Sequence, residues 1–296
     1  MTGETVLCSR RIRWQVPAAL LLFVLLWTCC YFTWMPEPID SFKNGAVFIV
    51  VGFLGAIIGN ITAIGGGLIF IPILVFGYHL PAVAALKTSI ATQAFGMTSG
   101  AIAWSREGKV PWSIVPWAIP GLLAGSSISS LLIHPSPALV KGLFGPVSIT
   151  LGLLLLATIL LRRKTERTWN KRTKIALLIS SSIGGLLTGW VAIGEGEVVA
   201  ATLMLLFGFE ADEAIALGVV LLSINSLYLA LLHILFLGGV PWEIAAFTIL
   251  GCVAGAQTAP LLARWTNEKI LKSIFACIAI LDGCLFIYQF AIWSHR

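Results

Sequence analysis

Long apolar stretches, separated by short polar turns, follow one another along most of this chain. Several of them reach the roughly 20 residues that a helix needs to cross about 30 Å of hydrocarbon. Two stretches are broken in the middle by glycines and polar residues: GNITAIGGGLIFIP from Gly59 to Pro72, and GWVAIGEGEVVAA from Gly189 to Ala201. The pattern predicts an all-α polytopic membrane protein that contains two broken helical segments.

The broken segments belong to an internal duplication with a period near 130 residues. The stretch Ile64 to Gly67 (IGGG) matches Ile193 to Gly196 (IGEG) 129 positions later, and the turn GKVPW at Gly108 recurs as GGVPW at Gly238, 130 positions later. Matches in a preserved order are typical of a repeated structural unit. Each unit has one Gly-broken segment followed by three apolar segments.

The duplication divides the chain into four parts. Residues 1–44 are predicted to form an N-terminal cytoplasmic tail and anchor helix, 45–161 the first repeat, 162–174 a basic cytoplasmic linker, and 175–296 the second repeat. Arginines precede the apolar run of the anchor, but no small-residue cleavage pattern follows it. We therefore interpret this run as a retained helix, with a cleaved signal peptide as the alternative.

Charges in the loops predict how the segments are threaded. Cytoplasmic loops are enriched in Lys and Arg, and seven of the 19 lie in the basic linker. With a cytoplasmic N-terminus, the linker is cytoplasmic only if each broken segment is a re-entrant helical hairpin. Each repeat then crosses the cytoplasmic membrane three times, and this odd number makes the two repeats inverted relative to each other.

A single broken crossing is the alternative. It is disfavoured because about 14 residues before Gly59 and about 9 after Gly67 make half-helices too short to cross.

The breaks themselves predict a binding site, because non-helical backbone at membrane depth is tolerated only inside protein or beside a wet cavity. Gly65, Gly66 and Gly67 allow a ligand to approach the backbone closely. The half-helix that follows them presents unpaired N–H groups and a positive dipole end, which suit an oxyanion. Asn60 and Thr62 would add side-chain hydrogen bonds. Tight helix packing through small residues is the alternative role for these glycines.

Polar side chains inside apolar segments are further candidates, because their burial is expensive. Lys87 would supply a positive charge near the anion, with Thr88, Ser89 and Gln93 on adjacent turns. The alternative for Lys87 is snorkelling of its long side chain to the interface. Asn225 would either face the cavity or bond across helices.

Glu195 and Glu197 occupy the second break. An ionised carboxylate would repel an anion, whereas burial favours the neutral carboxyl, so both residues are candidate proton carriers. The alternatives are a cap on the following half-helix for Glu197 and an ion pair with Lys87 for Glu195.

Other classes of function are poorly supported by the sequence. The motifs H-E-x-x-H, G-x-S-x-G and the P-loop are absent, the cysteines lack metal-ligand spacing, and the net charge of +6 reflects the linker. We therefore expect no enzymatic activity, metal, cofactor or nucleic acid. The expected partners are a small anionic solute and the lipid bilayer, and a homodimer is left open.

The stretch IGNITAIGGGLIFIPILVFGYHLPAVAALKTSIAT, from Ile58 to Thr92, resembles the TauE/SafE family of bacterial sulfite exporters. The resemblance covers about residues 45 to 292 and implies transport of sulfite, sulfonates or other small organosulfur anions. Glu195 and Glu197 depart from the family, whose second repeats commonly keep a glycine-rich break. We therefore predict a secondary anion transporter with proton coupling through these glutamates. The alternatives are a membrane assembly or interaction subunit and a cation pathway past the same two residues.

Overall fold

The computed structural model describes the backbone of residues 3–35, 37–161 and 167–294, and these residues contain helices without any strand. The predicted all-α class is confirmed. The first five residues of the predicted linker, 162–166, lie outside the described residues. The helices are α1 (Gly3–Trp34), α2 (Pro38–Thr62), α3 (Gly67–Pro72) with a π-helical extension (Ile73–Gly77), α4 (Ala82–Arg106), α5 (Val115–Ser127) with a π-helical extension (Ile128–Leu132), α6 (Pro137–Leu160), α7 (Lys171–Val191), α8 (Glu195–Phe207), α9 (Ala211–Phe236), α10 (Trp242–Trp265) and α11 (Glu268–Ser294).

Seven of the described helices are long and apolar enough to cross a membrane: α2, α5 with its extension, α6, α7, α9, α10 and α11. The chain is therefore a multi-pass membrane protein. Helix α4 has 25 residues but is not among the seven. The sequence had suggested a clean apolar segment there, yet Lys87, the Thr and Ser residues and Gln93 lower its hydropathy.

The first broken segment folds back on itself. The rings of Phe48 in α2 and Tyr78, just after the extension of α3, lie 4.5 Å apart. Nearer the break, a β-carbon on Gly55 would stand 3.2 Å from the Phe70 ring. The chain after the break thus returns along α2, towards the side from which α2 comes.

The second broken segment folds in the same way. The N–H of Thr168, just before α7, donates to the carbonyl oxygen of Phe207, the last residue of α8, over 3.1 Å. The end of the hairpin is therefore beside its beginning.

The first arm of the first hairpin is longer than the sequence estimate, and the first arm of the second hairpin is long as well. Helix α2 has 25 residues and α7 has 21, and both are long enough to cross a membrane. Helix α2 also begins at Pro38, ahead of the predicted repeat boundary at residue 45. The estimate that neither arm of the first hairpin could cross alone was wrong for α2, because this helix extends further before the break than the sequence suggested. Re-entry relative to the bilayer stays a prediction.

The two halves of the chain run in opposite directions. Helix α4 is antiparallel to α9, since Thr98 contacts Ser223 while Lys87, earlier in α4, contacts Leu237, later in α9. Helices α2 and α10 pack in parallel, and so do α5 and α7. The two pairs are equivalent, because α2 corresponds to α7 in the other repeat and α10 corresponds to α5. These directions are those expected of inverted repeats, which remain a prediction for the membrane-inserted protein.

The charged loops gather at one end of the molecule. Lys109 contacts Asp212 over 3.1 Å, Arg167 contacts Glu213 over 2.7 Å, and Arg264 pairs with Glu107. The Asp212 hydrogen bond and charge raise the pKa of the Lys109 ammonium. The loops that were predicted to be cytoplasmic on the basis of their charge therefore lie on one side.

Candidate functional site

The two breaks begin with the same backbone conformation. Ala63, at the end of α2, and Ala192, at the end of α7, both have φ of 58° in the left-handed region. They are 129 positions apart, which is the predicted offset of the duplication. A left-handed alanine costs roughly 1–2 kcal/mol, so both halves accept strain to reverse the chain at this point.

The breaks pack directly against each other. A β-carbon on Gly65 would stand 2.5 Å from the Ala192 carbonyl oxygen, and one on Gly67 would stand 2.7 Å from the same atom. In return, a β-carbon on Gly196 would stand 2.2 Å from the Ala63 carbonyl oxygen. These glycines allow close backbone contact, so the packing role that the sequence left open is present.

Glu197 joins the two breaks. Its Oε1 accepts a hydrogen bond from the N–H of Gly65 in the first break, and its Oε2 accepts one from the N–H of Gly194 in the second; both are 3.0 Å long. The residue is 7% exposed. The bond to Gly194 is the helix cap that the sequence offered as an alternative for Glu197, and the bond to Gly65 was not foreseen.

Some of the N–H groups expected to be unpaired already have partners. The N–H groups of Leu68 and Ile69 donate to the carbonyl oxygens of Gly65 and Gly66. The first turn of α3 thus satisfies part of its own backbone. The N–H of Gly65, just before this turn, donates to Glu197 Oε1.

Glu195 lies in a fully buried polar pocket of the second half. Its Oε1 accepts a hydrogen bond of 2.5 Å from the Ser181 hydroxyl, and its N–H donates to Thr188 Oγ1 over 3.1 Å. Its Oε2 has no hydrogen-bond partner among the described residues. A β-carbon on Gly184 would stand 2.8 Å from that oxygen, so this glycine makes room for the carboxyl.

Gln93 lies outside both breaks, but its side chain bonds directly to the second one. Its Nε2 donates to the carbonyl oxygen of Ala192 over 2.8 Å, and its Oε1 accepts from Ser226 Oγ over 3.3 Å. The amide therefore links α4, α9 and the second break.

Asn60 and Thr62 lie in the last turn of α2 beside the first break, and both are buried. Asn60 Nδ2 donates to the Ala56 carbonyl, whereas its Oδ1 is buried without a described partner. The Thr62 hydroxyl donates to the Ile58 carbonyl and accepts from the N–H of Ile64 over 3.3 Å. The two side chains thus shape the end of α2.

Lys87, Thr88 and Ser89 lie in α4 on the N-terminal side of Gln93. Lys87 is six residues before Gln93, about 9 Å along the helix. Its ammonium donates to the carbonyl oxygen of Leu237 at the end of α9, so it does not pair with Glu195 in this structure. Thr88 donates to Ala84 in its own helix, and the Ser89 hydroxyl is buried without a described partner.

Asn225 bonds across helices, which is one of the two roles predicted for it. Its Oδ1 accepts a hydrogen bond from the Ser126 hydroxyl of α5. Ser126 also contacts the Gly185 carbonyl of α7 over 3.2 Å. The group ties α5, α7 and α9 together near the second break.

Two small cavities adjoin the first break. One, of about 10 Å³, or the size of a single water molecule, brings Glu197 together with apolar residues of both breaks and of the antiparallel pair α6 and α11: Ile64, Leu68, Leu151, Gly152, Leu155, Ile193 and Ala279. The other, also of about 10 Å³, lies between α2, α3, α4 and α10 and includes Asn60, Gly66, Thr92, Gln93 and Cys252. Within the described part of the chain, no group of three His, Cys, Asp or Glu could hold a metal.

Sequence reasoning missed three groups that hold the second break in place. They are the hydroxyls of Ser181 and Thr188, which bond to Glu195, and the Ala192 carbonyl, which accepts a hydrogen bond from Gln93. A usable signal existed, since Ser181, Gly184 and Thr188 are spaced to share one face of a helix. Their relevance depends on α8 returning along α7, and that return became visible only in the fold.

Taken together, the helices and the paired breaks define a multi-pass helical membrane protein with two broken hairpins that meet in its interior. A family model described as "Sulfite exporter TauE/SafE" matches residues 48–285. The chain therefore belongs to the TauE/SafE family, as its resemblance had predicted.

Relatives from Bacillus subtilis (strain 168) carry the name of membrane transporters. The "Probable membrane transporter protein YunE" is 23% identical, over 82% of this chain and 97% of its own length. "Probable membrane transporter protein YdhB" is 25% identical, over 82% of this chain and 99% of its own length. No solved structure matches the chain significantly. Family and relatives agree that the chain is a membrane transporter and not an enzyme.

Proposed function

We propose that this transporter is a secondary carrier of a small anion, such as sulfite, a sulfonate or another organosulfur anion, and that the anion binds between the two breaks. The observation that carries the proposal is the carboxylate of Glu197, which accepts N–H groups from Gly65 and Gly194 at 3.0 Å each. Backbone donors from opposite halves of the chain thus already surround one oxyanion, in surroundings that are otherwise apolar.

The binding residues proposed for the anion are those around the breaks. Gly65, Gly66 and Gly67 would offer backbone N–H groups, and Asn60 and Thr62 would frame the end of α2. Gln93 would hold the second break in position. Lys87, Thr88, Ser89 and Asn225 were also predicted as binding residues; they lie further out or on the second half, and their role stays a prediction.

Proton coupling through Glu195 belongs to the same proposal. Its carboxyl is fully buried and one oxygen lacks a described partner. An isolated buried charge is costly, so a change of protonation is a natural way for such a group to respond to an anion nearby. The cytoplasmic membrane as location, a cytoplasmic N-terminus and a homodimer remain expectations.

The cation pathway is less well supported than the anion site. Both oxygens of Glu197 accept N–H groups, and positive donors of this kind disfavour a cation in the same place. No observation specifically favours an assembly or interaction subunit.

Anion flux into proteoliposomes tests the proposal. Uptake of radiolabelled sulfite and methanesulfonate should exceed that of protein-free liposomes several-fold, and it should be inhibited by the other anion. Gly67→Val should abolish the excess, since a β-carbon there meets Ala192, whereas Gly77→Val should retain it, since nothing lies within 4 Å. Equal uptake with and without the wild-type protein, for a panel that also includes thiosulfate, sulfoacetate and taurine, would refute an organosulfur anion carrier.

A further inference from the structure

Glu197 occupies the position that an anionic substrate needs. A carboxylate and a sulfonate both present two oxygens to neighbouring N–H donors, and the donors at Gly65 and Gly194 are both in use. Two anions cannot share these donors without strong repulsion in surroundings of low dielectric constant. Glu197 must therefore move or lose its charge before a substrate binds.

The surroundings of the Glu197 carboxyl favour a neutral side chain over a charged one. The cavity beside it is lined by apolar side chains from the two breaks and from α6 and α11. Among its lining residues Glu197 is the one titratable group. A protonated carboxyl is a much weaker acceptor for the two N–H groups than a carboxylate, and its transfer to an apolar cavity is far less costly.

Other ionisable groups lie on the helices around this carboxylate. Glu195 is bonded to Ser181. On α11, Lys272 contacts Met204 Sδ over 3.7 Å, two turns further along α8, and Asp282 follows the cavity residue Ala279 by three positions. The residues of the first break and the residues of α9 next to Gly218 include no ionisable side chain. The ionisable side chains of α6 and α7 stand in the first turns of those helices: Lys141, Lys171, Arg172 and Lys174.

We propose that Glu197 is a tethered anion that the substrate displaces, so that each anion bound between the breaks is accompanied by one proton taken from solution onto the Glu197 carboxylate. The proposal rests on the proposed anion site. In this exchange the negative charge of the substrate takes the place of the Glu197 charge at the Gly65 and Gly194 N–H groups, and the released Glu197 carboxyl is neutral. The net charge of the buried region is thus unchanged on binding.

This charge balance also selects the class of substrate. A monovalent oxyanion exactly replaces the carboxylate charge, whereas a dianion leaves one additional negative charge in an apolar region, which is expensive. The preferred ligand is therefore a small monovalent sulfonate, ahead of sulfate.

Binding of methanesulfonate to the purified protein tests this inference, because this ion stays fully ionised across the pH range used. Calorimetry in detergent at about pH 5.5, 6.5 and 7.5, in buffers of different protonation enthalpy, gives both the affinity and the number of protons taken up. The variant is Glu197→Gln, and the control is Glu243→Gln, the same change at an exposed residue in the first turn of α10. Sulfate serves as the dianion.

For the wild type and Glu243→Gln we expect about one proton to be taken up per bound anion. The affinity for methanesulfonate should therefore fall by up to about tenfold for each unit by which the pH is raised. Glu197→Gln should bind without proton uptake and with an affinity that varies less than about twofold with pH. Sulfate should bind at least tenfold more weakly than methanesulfonate. Persistent proton uptake in Glu197→Gln, or none in the wild type, would overturn the inference while leaving the anion site intact. If Glu197→Gln does not fold, Glu195→Gln decides: uptake of about one proton per anion in that variant supports Glu197, and its loss overturns the inference. Absence of binding of every anion to every folded protein would overturn the proposed function as well.

Discussion

The carbonyl oxygen of Ala192 lies 2.5 Å from the position that a β-carbon on Gly65 would occupy. The two residues belong to different halves of the chain, and this contact leaves room for a hydrogen atom but not for a methyl group. The joint between the breaks therefore depends on the glycine.

Gly65→Ala should lower the stability of the purified protein by about 1–3 kcal/mol, since backbone must move to admit the methyl group. The melting temperature in detergent measures the effect. Gly77→Ala is the matched control, because nothing lies within 4 Å of its β-carbon position. Equal melting temperatures for the two variants would mean that the breaks do not pack as described.

Gln93→Leu should destabilise the protein by about 1–3 kcal/mol, because the Ala192 carbonyl oxygen loses its 2.8 Å side-chain donor inside the protein. Ser226→Ala removes only the longer bond of 3.3 Å to the same side chain, and it should cost less than half as much. Chemical unfolding followed by tryptophan fluorescence compares them. A larger loss for Ser226→Ala would contradict the assignment of Gln93 as the link to the break.

Lys87→Met should reduce stability by about 0.3–2 kcal/mol, because the ammonium no longer caps the carbonyl end of α9 at Leu237. The affinity for methanesulfonate should change by less than about twofold if Lys87 acts on the helix end. Calorimetry together with thermal melting separates the two effects. A tenfold or greater loss of affinity at unchanged stability would instead support the direct role that the sequence predicted for this charge.

Glu195→Gln should leave the Ser181 hydrogen bond in place, because the amide oxygen can accept it, while removing the group that can take up a proton. Uptake into proteoliposomes is compared with and without an inward proton gradient. The stimulation by the gradient should be smaller in this variant than in the wild type, because Glu197 can still take up a proton, and it should be unchanged in Glu243→Gln. If stimulation is unchanged in Glu195→Gln, this residue has no part in coupling.

Single cysteine substitutions test the predicted threading. Lys171→Cys, at the start of α7, should be protected from a membrane-impermeant maleimide in intact cells, because the basic linker is predicted to be cytoplasmic. Gly239→Cys, in the uncharged turn before α10, should react. The wild type gives the background of the native thiols. Labelling of Lys171→Cys from outside would exclude re-entrant hairpins with a cytoplasmic N-terminus.

Several site residues could be predicted from the sequence because a polar side chain in an apolar helix is conspicuous. Glu195, Glu197, Gln93 and Asn225 were identified in this way, and all four are buried at or near the breaks. Their partners were less accessible. The Ser126 hydroxyl that contacts Asn225 lies 99 residues away in the chain, and no local pattern indicates such a distance.

The position of Lys87 illustrates the limit of local reasoning. The sequence placed it and Gln93 on adjacent turns of one helix, as parts of one site. A separation of six residues is nevertheless about 9 Å along the axis, so Gln93 reaches the break while the ammonium reaches the end of α9.

The sequence by itself determined the helical membrane class, the family, the duplication and the position of both breaks. The class and the breaks follow from apolar length and glycine content, the duplication from matching residues about 130 positions apart, and the family from the resemblance of the stretch Ile58 to Thr92. Only the tertiary structure decided that the breaks contact each other and that Glu197 accepts hydrogen bonds from both of them. The physical reason is that Gly65 and Glu197 are 132 positions apart, and their contact depends on how two folded hairpins pack, which no local preference of either segment specifies.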